Sequence, residues 1–211
     1  MVKNIIFDFG GVLMDLDYRL SVRALNELLQ IDVVSEKNRK WFLSIFRQYE
    51  KGDVSSENFI WELQHASKTK PEPRLVIDAW NQMILGSTTE RFDFLKELKK
   101  DYKVFLLSNS NELHVQYGMK VLSNIMDVKD FNDDHFHNTY YSHLLGMRKP
   151  DVEIFERVIS DNVLRADESL FIDDLMPNIQ GAVRAGLQAV QHDPKTNIIE
   201  MVPQYIAKYN D

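Results

Sequence analysis

The segment Asn4-Ile5-Ile6-Phe7-Asp8-Phe9-Gly10-Gly11 decides the fold expected for this chain of 211 residues. Its apolar run, Asn4–Phe9, is short and rich in β-branched and aromatic residues, as is typical of a strand buried on both faces of a parallel sheet. A carboxylate near the end of such a strand is held rigidly, and the two glycines let backbone amides approach a ligand closely. Asp8 is therefore a candidate nucleophile, because rigid carboxylates can form acyl-phosphate intermediates. At this point a simple turn residue explains Asp8 equally well.

Further segments of the same kind lie toward the C-terminus. They are Lys103–Ser108, Ser169–Asp173, Leu187–Gln191 and the shorter Thr139–Ser142. Helical patterns separate them, and this alternation predicts an α/β fold with a parallel sheet and helices on both faces. Because ligands bind outside the carboxyl ends of the strands in such sheets, these ends are the places to search for a site.

The region between the first two strands has a different pattern. Helical apolar spacing runs from about Tyr18 to Leu85, including the segments Asn38–Tyr49, Ser56–Ala66 and Pro73–Ile84. We therefore expect an insertion of roughly four helices. The predicted organisation is an α/β core of residues 1–16 and 87–211 with a helical cap of residues 17–86.

The composition excludes several classes of protein. Cysteine is absent, which rules out disulfides and thiolate metal sites. The net charge is −7 and no basic stripe occurs, so a nucleic-acid partner is not expected. No long uncharged apolar stretch and no leader pattern occur either, so we expect no membrane span and a cytoplasmic location.

Three more motifs carry candidate chemistry, each ambiguous when taken alone. Ser108 and Asn109 follow a strand and could hydrogen-bond phosphoryl oxygens, although both residue types are also common helix caps. Lys149 could neutralise crowded oxyanions, although most lysines are simply solvated, and its neighbour Arg148 is given no role. Asp173 and Asp174 are adjacent acids, which are costly at a buried strand end without a cation and suit Mg²⁺.

The order of these motifs resembles the haloacid dehalogenase-like superfamily. The segments Phe7–Leu13, Leu107–Asn111, Gly146–Pro150 and Phe171–Asn178 are more narrowly similar to bacterial α-D-glucose-1-phosphate phosphatases, as is Tyr49–Ser55 in the insertion. The resemblance implies a Rossmann-like parallel sheet core with a four-helix cap. It further implies an Mg²⁺-dependent phosphatase that acts on a small phosphorylated metabolite, such as a sugar phosphate, through an aspartyl-phosphate.

The resemblance also assigns expected roles to individual residues. Asp8 is the nucleophile and Lys149 the second catalytic residue. Ser108, Asn109 and Lys149 hold the phosphoryl group, and Glu50 contacts the substrate from the cap. The Asp8 carboxylate, the Gly10 carbonyl and Asp173 bind Mg²⁺, with Asp174 in support.

The sequence departs from the superfamily pattern at Gly10. Most phosphatases of the superfamily have a second aspartate at this position, which serves as general acid and base, a role worth about 10²–10⁴-fold in rate. The glucose-1-phosphate phosphatase subgroup also has glycine here. Asp15 and Asp17 lie nearby but are expected on the way into the cap.

Two alternatives to a phosphatase remain open. A 2-haloacid dehalogenase would use Asp8 on carbon, but such enzymes need no metal and the Asp173–Asp174 pair argues against it. A non-catalytic phospho-ligand binding protein would explain Gly10, but it has no evident need for a nucleophile. The chain is expected to act as a monomer or homodimer.

Overall fold

The computed structural model describes residues 1–210. In chain order its elements are β1 (Asn4–Phe7), β2 (Asp15–Leu16), α1 (Tyr18–Leu29), α2 (Glu36–Glu50), α3 (Ser56–Ala66), α4 (Pro73–Asn81), β3 (Ile84–Gly86), α5 (Thr89–Leu98), β4 (Lys103–Ser108), α6 (Glu112–Leu122), α7 (Phe131–His135), β5 (Asn138–Tyr141), α8 (Ser142–Leu145), α9 (Val152–Asp161), a 3₁₀ helix (Ala166–Glu168), β6 (Ser169–Asp173), α10 (Met176–Arg184), β7 (Gln188–Gln191) and α11 (Ile198–Asn210).

Five strands form one parallel sheet in the order β5-β4-β1-β6-β7. The central strand β1 has both faces covered: Ile5 and Phe7 pack into one apolar cluster, while Ile6 packs into the cluster on the opposite face. All three side chains are fully buried, which explains why the strand is apolar at every position rather than at alternate positions. The predicted Rossmann-like α/β core is confirmed.

The four helices α1 to α4 are inserted between β1 and the rest of the sheet, as the sequence predicts. They enclose an apolar cluster of their own, with Leu25, Phe59 and Leu63 fully buried in it. Leu113 of α6 joins this cluster from the core side.

Several element boundaries differ from the sequence prediction. The segments predicted over Asn38–Tyr49, Thr139–Ser142 and Leu187–Gln191 are shifted by only one or two residues. Two other differences have a clear structural cause. The helix expected over Pro73–Ile84 ends at Asn81, because Ile84–Gly86 pairs antiparallel with Asp15–Leu16 to form a two-stranded ribbon at the entry and exit of the insertion. The first strand ends at Phe7 rather than Phe9, because the Phe9 carbonyl accepts hydrogen bonds from the amides of Leu13 and Met14 in a turn. Helical or strand periodicity carries no information on either pairing.

The insertion docks on the core through the last residues of α2 and the turn that follows them. The Ser142 hydroxyl donates to the Glu50 carbonyl at 2.6 Å, and the Leu113 amide donates to the Tyr49 hydroxyl at 3.3 Å. Gly52 has φ 73° and lies against the His143 carbonyl oxygen, which a β-carbon at this position would strike. Glycine therefore allows the close approach and the left-handed conformation together.

A second joint pairs Trp80 of the insertion with His114 of α6. Their rings are stacked with centroids 4.7 Å apart. The Asn111 side-chain oxygen accepts from the His114 amide, so its amide nitrogen donates to His114 Nδ1 at 3.1 Å. Nε2 then carries the proton and donates to the Trp80 carbonyl at 3.2 Å. Burial lowers the pKa of His114 to about 4, and the bond to the Trp80 carbonyl only partly opposes this.

This joint makes stability sensitive to acid. The unfolded chain binds a proton at His114 near pH 6.5, and the folded protein does so only near pH 4. The contribution of neutral His114 to the free energy of unfolding is therefore fully present above about pH 6.5 and is lost as the pH falls toward 4. The expected loss from this residue is up to about 3 kcal/mol. Urea unfolding at several pH values should show a shallower decline in His114→Gln than in wild type. Equal pH slopes in the two proteins would contradict this assignment.

None of the helices in residues 1–210 combines the length and the apolarity needed to cross a lipid bilayer.

Candidate active site

The carboxyl ends of β1, β4 and β6 bring the predicted polar residues together at one edge of the sheet. Phe7 lies beside Leu106 of β4 and Ile172 of β6, so the next residues along the chain are neighbours. The Asp8 amide donates to the Ile172 carbonyl at 2.9 Å, which extends the ladder by one bond and fixes the direction of the carboxylate. Ser108 and Asp173 end the two flanking strands.

Lys149 is the centre of this cluster. Its ammonium group is 2.7 Å from Asp8 Oδ1, 2.7 Å from Asp173 Oδ2 and 2.8 Å from the Leu107 carbonyl oxygen, so its three protons all have acceptors. The side chain is fully buried. Burial by itself lowers the pKa of Lys149, but the carboxylates of Asp173 and Asp8 outweigh it and raise that pKa. Lys149 is therefore a fixed positive charge.

For Asp8, the effect of burial on the pKa outweighs the effect of the neighbouring charge. Burial raises the pKa of its carboxyl group well above the usual value, and Lys149 works against this shift. Asp8 Oδ1 accepts from Lys149 and, at 2.7 Å, from the Phe9 amide. With Oδ1 held twice, Oδ2 remains for chemistry.

Asn178 of α10 holds Asp173 in place. Its side-chain nitrogen lies 3.0 Å from both carboxylate oxygens of Asp173, and the Leu175 amide donates to Oδ1 at 2.8 Å. Asn178 received no role from the sequence, although it lies within the Phe171–Asn178 motif. Its place in the first turns of the helix after β6 was the only feature of the sequence that could have suggested a role in positioning Asp173.

Asp174 completes a group of three carboxylates. One oxygen each from Asp8, Asp173 and Asp174 lie within 4.8 Å of one another. Among residues 1–210, Asp174 Oδ1 is buried and has no hydrogen-bond partner. Burial and the charge of Asp173 raise the pKa of Asp174 to about 6. Gly11, with φ 75°, leaves room for this side chain, since a β-carbon there would lie 2.6 Å from Asp174 Oδ2.

The residues that follow β4 support the same centre. Asn109 donates through its side-chain nitrogen to the Lys149 carbonyl at 2.9 Å and accepts from the Lys149 amide at 2.8 Å. Since its side chain is used to position Lys149, its backbone amide is the group left for an anion. Ser108 is buried at the strand end and lines the cavity described next.

A cavity of about 190 Å³ lies between the strand ends and the insertion. Asp8, Ser108 and Asn109 form its polar end. The remaining wall is largely apolar and is contributed by the turn after β1, the two-stranded ribbon, α2 and α6; it includes Met14, Leu16, Phe46, Met83, Ile84 and Val115.

Glu50 reaches this cavity from the end of α2 and meets Arg148 of the core there. Arg148 donates to Glu50 Oε2 from Nε at 3.1 Å and from Nη2 at 2.8 Å. Burial raises the pKa of Glu50, and Arg148, Lys149 and Arg47 counteract it. Arg148 was given no role from the sequence, and only its place next to Lys149 could have suggested one.

Gly10 borders the cavity and has no side chain. A β-carbon at this position would meet the end of the Leu16 side chain, which would have to shift. The nearby acids face other partners: Asp15 pairs with Arg91 at 2.8 Å and Asp17 with Arg19 at 2.8 Å. Neither lines the cavity.

The structure thus brings together all the residues singled out from the sequence: Asp8, Gly10, Glu50, Ser108, Asn109, Lys149, Asp173 and Asp174. Their individual roles remain predictions. Arg148 and Asn178 are additions that only the three-dimensional arrangement supplies.

Comparison with known proteins places this arrangement in a family. The family model of haloacid dehalogenase-like hydrolases matches residues 2–186. A D-ribitol-5-phosphate phosphatase of Bacteroides thetaiotaomicron is 30% identical over 193 residues, which cover 90% of this chain and 92% of that protein.

Solved structures agree in fold over nearly the whole chain. A predicted HAD-like family hydrolase from Porphyromonas gingivalis superposes with a TM-score of 0.84 and 29% identity, covering 100% of this chain and 99% of that one. A HAD family enzyme of Bacteroides thetaiotaomicron in complex with magnesium and inorganic phosphate gives a TM-score of 0.81 and 28% identity, covering 93% and 97% of the two chains. This chain therefore belongs to the haloacid dehalogenase-like hydrolase family.

Proposed function

We propose that this enzyme is an Mg²⁺-dependent phosphatase that hydrolyses a small phosphorylated metabolite through an aspartyl-phosphate on Asp8. The observation that carries the proposal is the buried Lys149 bridge between Asp8 and Asp173, with Asp174 beside it. One cation and three carboxylates leave the cluster negatively charged, which favours a bound divalent cation. Chemistry on carbon needs no such cation, so the third carboxylate favours a phosphatase over a dehalogenase.

The residues present fit Mg²⁺. The donor set is made of hard oxygens, and the buried Asp174 Oδ1 lacks a partner among residues 1–210, as expected of an atom that meets an ion or its waters. The Asp8 carboxylate, the Gly10 carbonyl and Asp174 would hold the ion. Both oxygens of Asp173 already accept hydrogen bonds, so Asp173 would support the site mainly through its charge. When bound, Mg²⁺ would neutralise charge on the phosphoryl oxygens.

The protein residues would carry the reaction in two steps. Asp8 attacks phosphorus through Oδ2, while Lys149 and the Phe9 amide hold Oδ1. Ser108 and the Asn109 backbone amide would bind the equatorial oxygens over which charge spreads, and the positive charge of the buried Lys149 would stabilise that charge. Water then hydrolyses the aspartyl-phosphate and regenerates Asp8.

Residues 17–86 would serve as a cap that closes the cavity and excludes water during phosphoryl transfer. The cavity of about 190 Å³ suits a small metabolite, and the curated D-ribitol-5-phosphate phosphatase supports a sugar or polyol phosphate as substrate. Glu50, presented by this cap beside the polar end of the cavity, would contact the substrate.

The first test is phosphate release from a panel of sugar, polyol and nucleotide phosphates, with Mg²⁺ and with a chelator. Wild type should release phosphate only with Mg²⁺, and Asp8→Asn should lower the rate by about 10³-fold or more because the nucleophile is lost. Asp101→Asn makes the same change at an exposed turn ahead of β4 and should leave the rate unchanged. Release by Asp8→Asn at the wild-type rate would refute the proposed nucleophile.

A second test addresses the metal. Gly11→Ala places a methyl group against Asp174, so the affinity for Mg²⁺ measured by calorimetry should fall by about 10-fold. Gly146→Ala is the matched control, because Gly146 also has a positive φ, 68°, but nothing within 4 Å of the added carbon. Equal Kd values for the two variants would contradict a metal site beside Asp174.

A further inference from the structure

The proposed reaction needs a proton donor and acceptor that position 10 does not supply. The leaving oxygen requires a proton in the first step, and the attacking water must lose one in the second. Residue 10 is glycine and has no side chain, so the group that donates and accepts the proton must come from another part of the site. This inference rests on the proposed function.

Only one carboxylate near the site, among residues 1–210, is free to transfer this proton. Asp15 and Asp17 are paired with Arg91 and Arg19 and do not line the cavity. Asp173 and Asp174 belong to the proposed metal site. Among residues 1–210, the carboxylates that line the cavity are Asp8, the nucleophile, and Glu50.

Glu50 is held in a defined position by contacts on both sides of the cap boundary. Both Arg148 bonds go to Oε2, which leaves Oε1 for the cavity. The Glu50 carbonyl accepts a hydrogen bond from the Ser142 hydroxyl, and Gly52 in the following turn packs against the His143 carbonyl. The side chain is only 9% exposed, so bulk water does not compete for it.

We propose that Glu50 is the general acid and base of this enzyme, delivered by the cap, and that Arg148 is the residue that positions it. In the first step Asp8 forms a bond to phosphorus, the bond from phosphorus to the leaving oxygen breaks, and that oxygen takes the Glu50 proton. In the second step water gives a proton to the Glu50 carboxylate and attacks phosphorus. The bond to Asp8 breaks, inorganic phosphate leaves, and both side chains return to their starting states.

The charges around Glu50 are compatible with this cycle. Burial favours its neutral acid, which the first step needs. Arg148 and Lys149 from the core and Arg47 from its own helix favour the carboxylate, which the second step needs. Tyr18 of α1 also lines the cavity; local desolvation of its hydroxyl group and the charges of the nearby carboxylates raise its pKa, so it remains a neutral hydroxyl.

The test uses two leaving groups with wild type and Glu50→Gln, which keeps the shape of the side chain but cannot transfer a proton. With the best alkyl phosphate of the panel, Glu50→Gln should lower kcat by about 10²–10⁴-fold. With p-nitrophenyl phosphate, whose leaving group needs no proton, it should release one equivalent of nitrophenolate in a burst. Slow turnover should follow, because the aspartyl-phosphate then lacks its base.

The control and the pH profile separate catalysis from cap docking. Glu112→Gln changes an acid that accepts a hydrogen bond from Ser56 across the same boundary but does not line the cavity, and it should show no burst and no change between leaving groups. In wild type, kcat/KM for the alkyl phosphate should fall at high pH as Glu50 loses its proton. Arg148→Met removes a charge that favours the carboxylate, so this limb should move to higher pH and be absent in Glu50→Gln.

Equal losses for both leaving groups without a burst, or an alkaline limb that does not move in Arg148→Met, would overturn the role of Glu50. Should Glu50→Gln fail to fold, as judged by circular dichroism, the Arg148→Met profile decides alone. A wild-type protein that hydrolyses no phosphate ester would instead refute the proposed function itself.

Discussion

The ammonium group of Lys149 is the point on which the site depends. It is fully buried and bonded to Asp8, Asp173 and the Leu107 carbonyl. One positive charge therefore contacts the carboxyl ends of three neighbouring strands, β1, β6 and β4. Loss of one partner of such a buried pair typically costs about 3–5 kcal/mol, because an unpaired charge remains in an apolar interior. The register of β4, β1 and β6 and the position of Lys149 therefore constrain one another. Asn109 and Asn178 reinforce the arrangement from the flanking segments.

The insertion forms the side of the cavity that faces the carboxyl ends of the strands. It has its own apolar cluster, and its contacts with the core include Gly52 against His143, Trp80 against His114, and Glu50 with Arg148. In this arrangement the insertion and the strand ends enclose one cavity, and Glu50 lines that cavity from the insertion side.

Gly10 leaves the end of β1 without an acidic side chain at position 10. Leu16 of β2 lies beside Gly10 and forms part of the apolar wall of the cavity. Glu50, at the end of α2, lines the same cavity, and burial raises the pKa of its carboxyl group. The acid that the strand end lacks is therefore present on the insertion side of the site.

The sequence by itself determined the sheet, the helical insertion and the set of residues at the strand ends, because burial on both faces imposes continuous apolar runs and strand ends attract polar residues. It also singled out Asp8, Lys149, Asp173 and Asp174 by their order along the chain. It could not determine the β2–β3 ribbon, the place of Arg148 opposite Glu50, or the use of Asn109 and Asn178 as supports. Each of these depends on contacts between residues far apart in the chain, such as the 98 positions that separate Glu50 from Arg148. Only the tertiary structure decides such contacts, because periodicity records which face a residue presents and not which partner meets it.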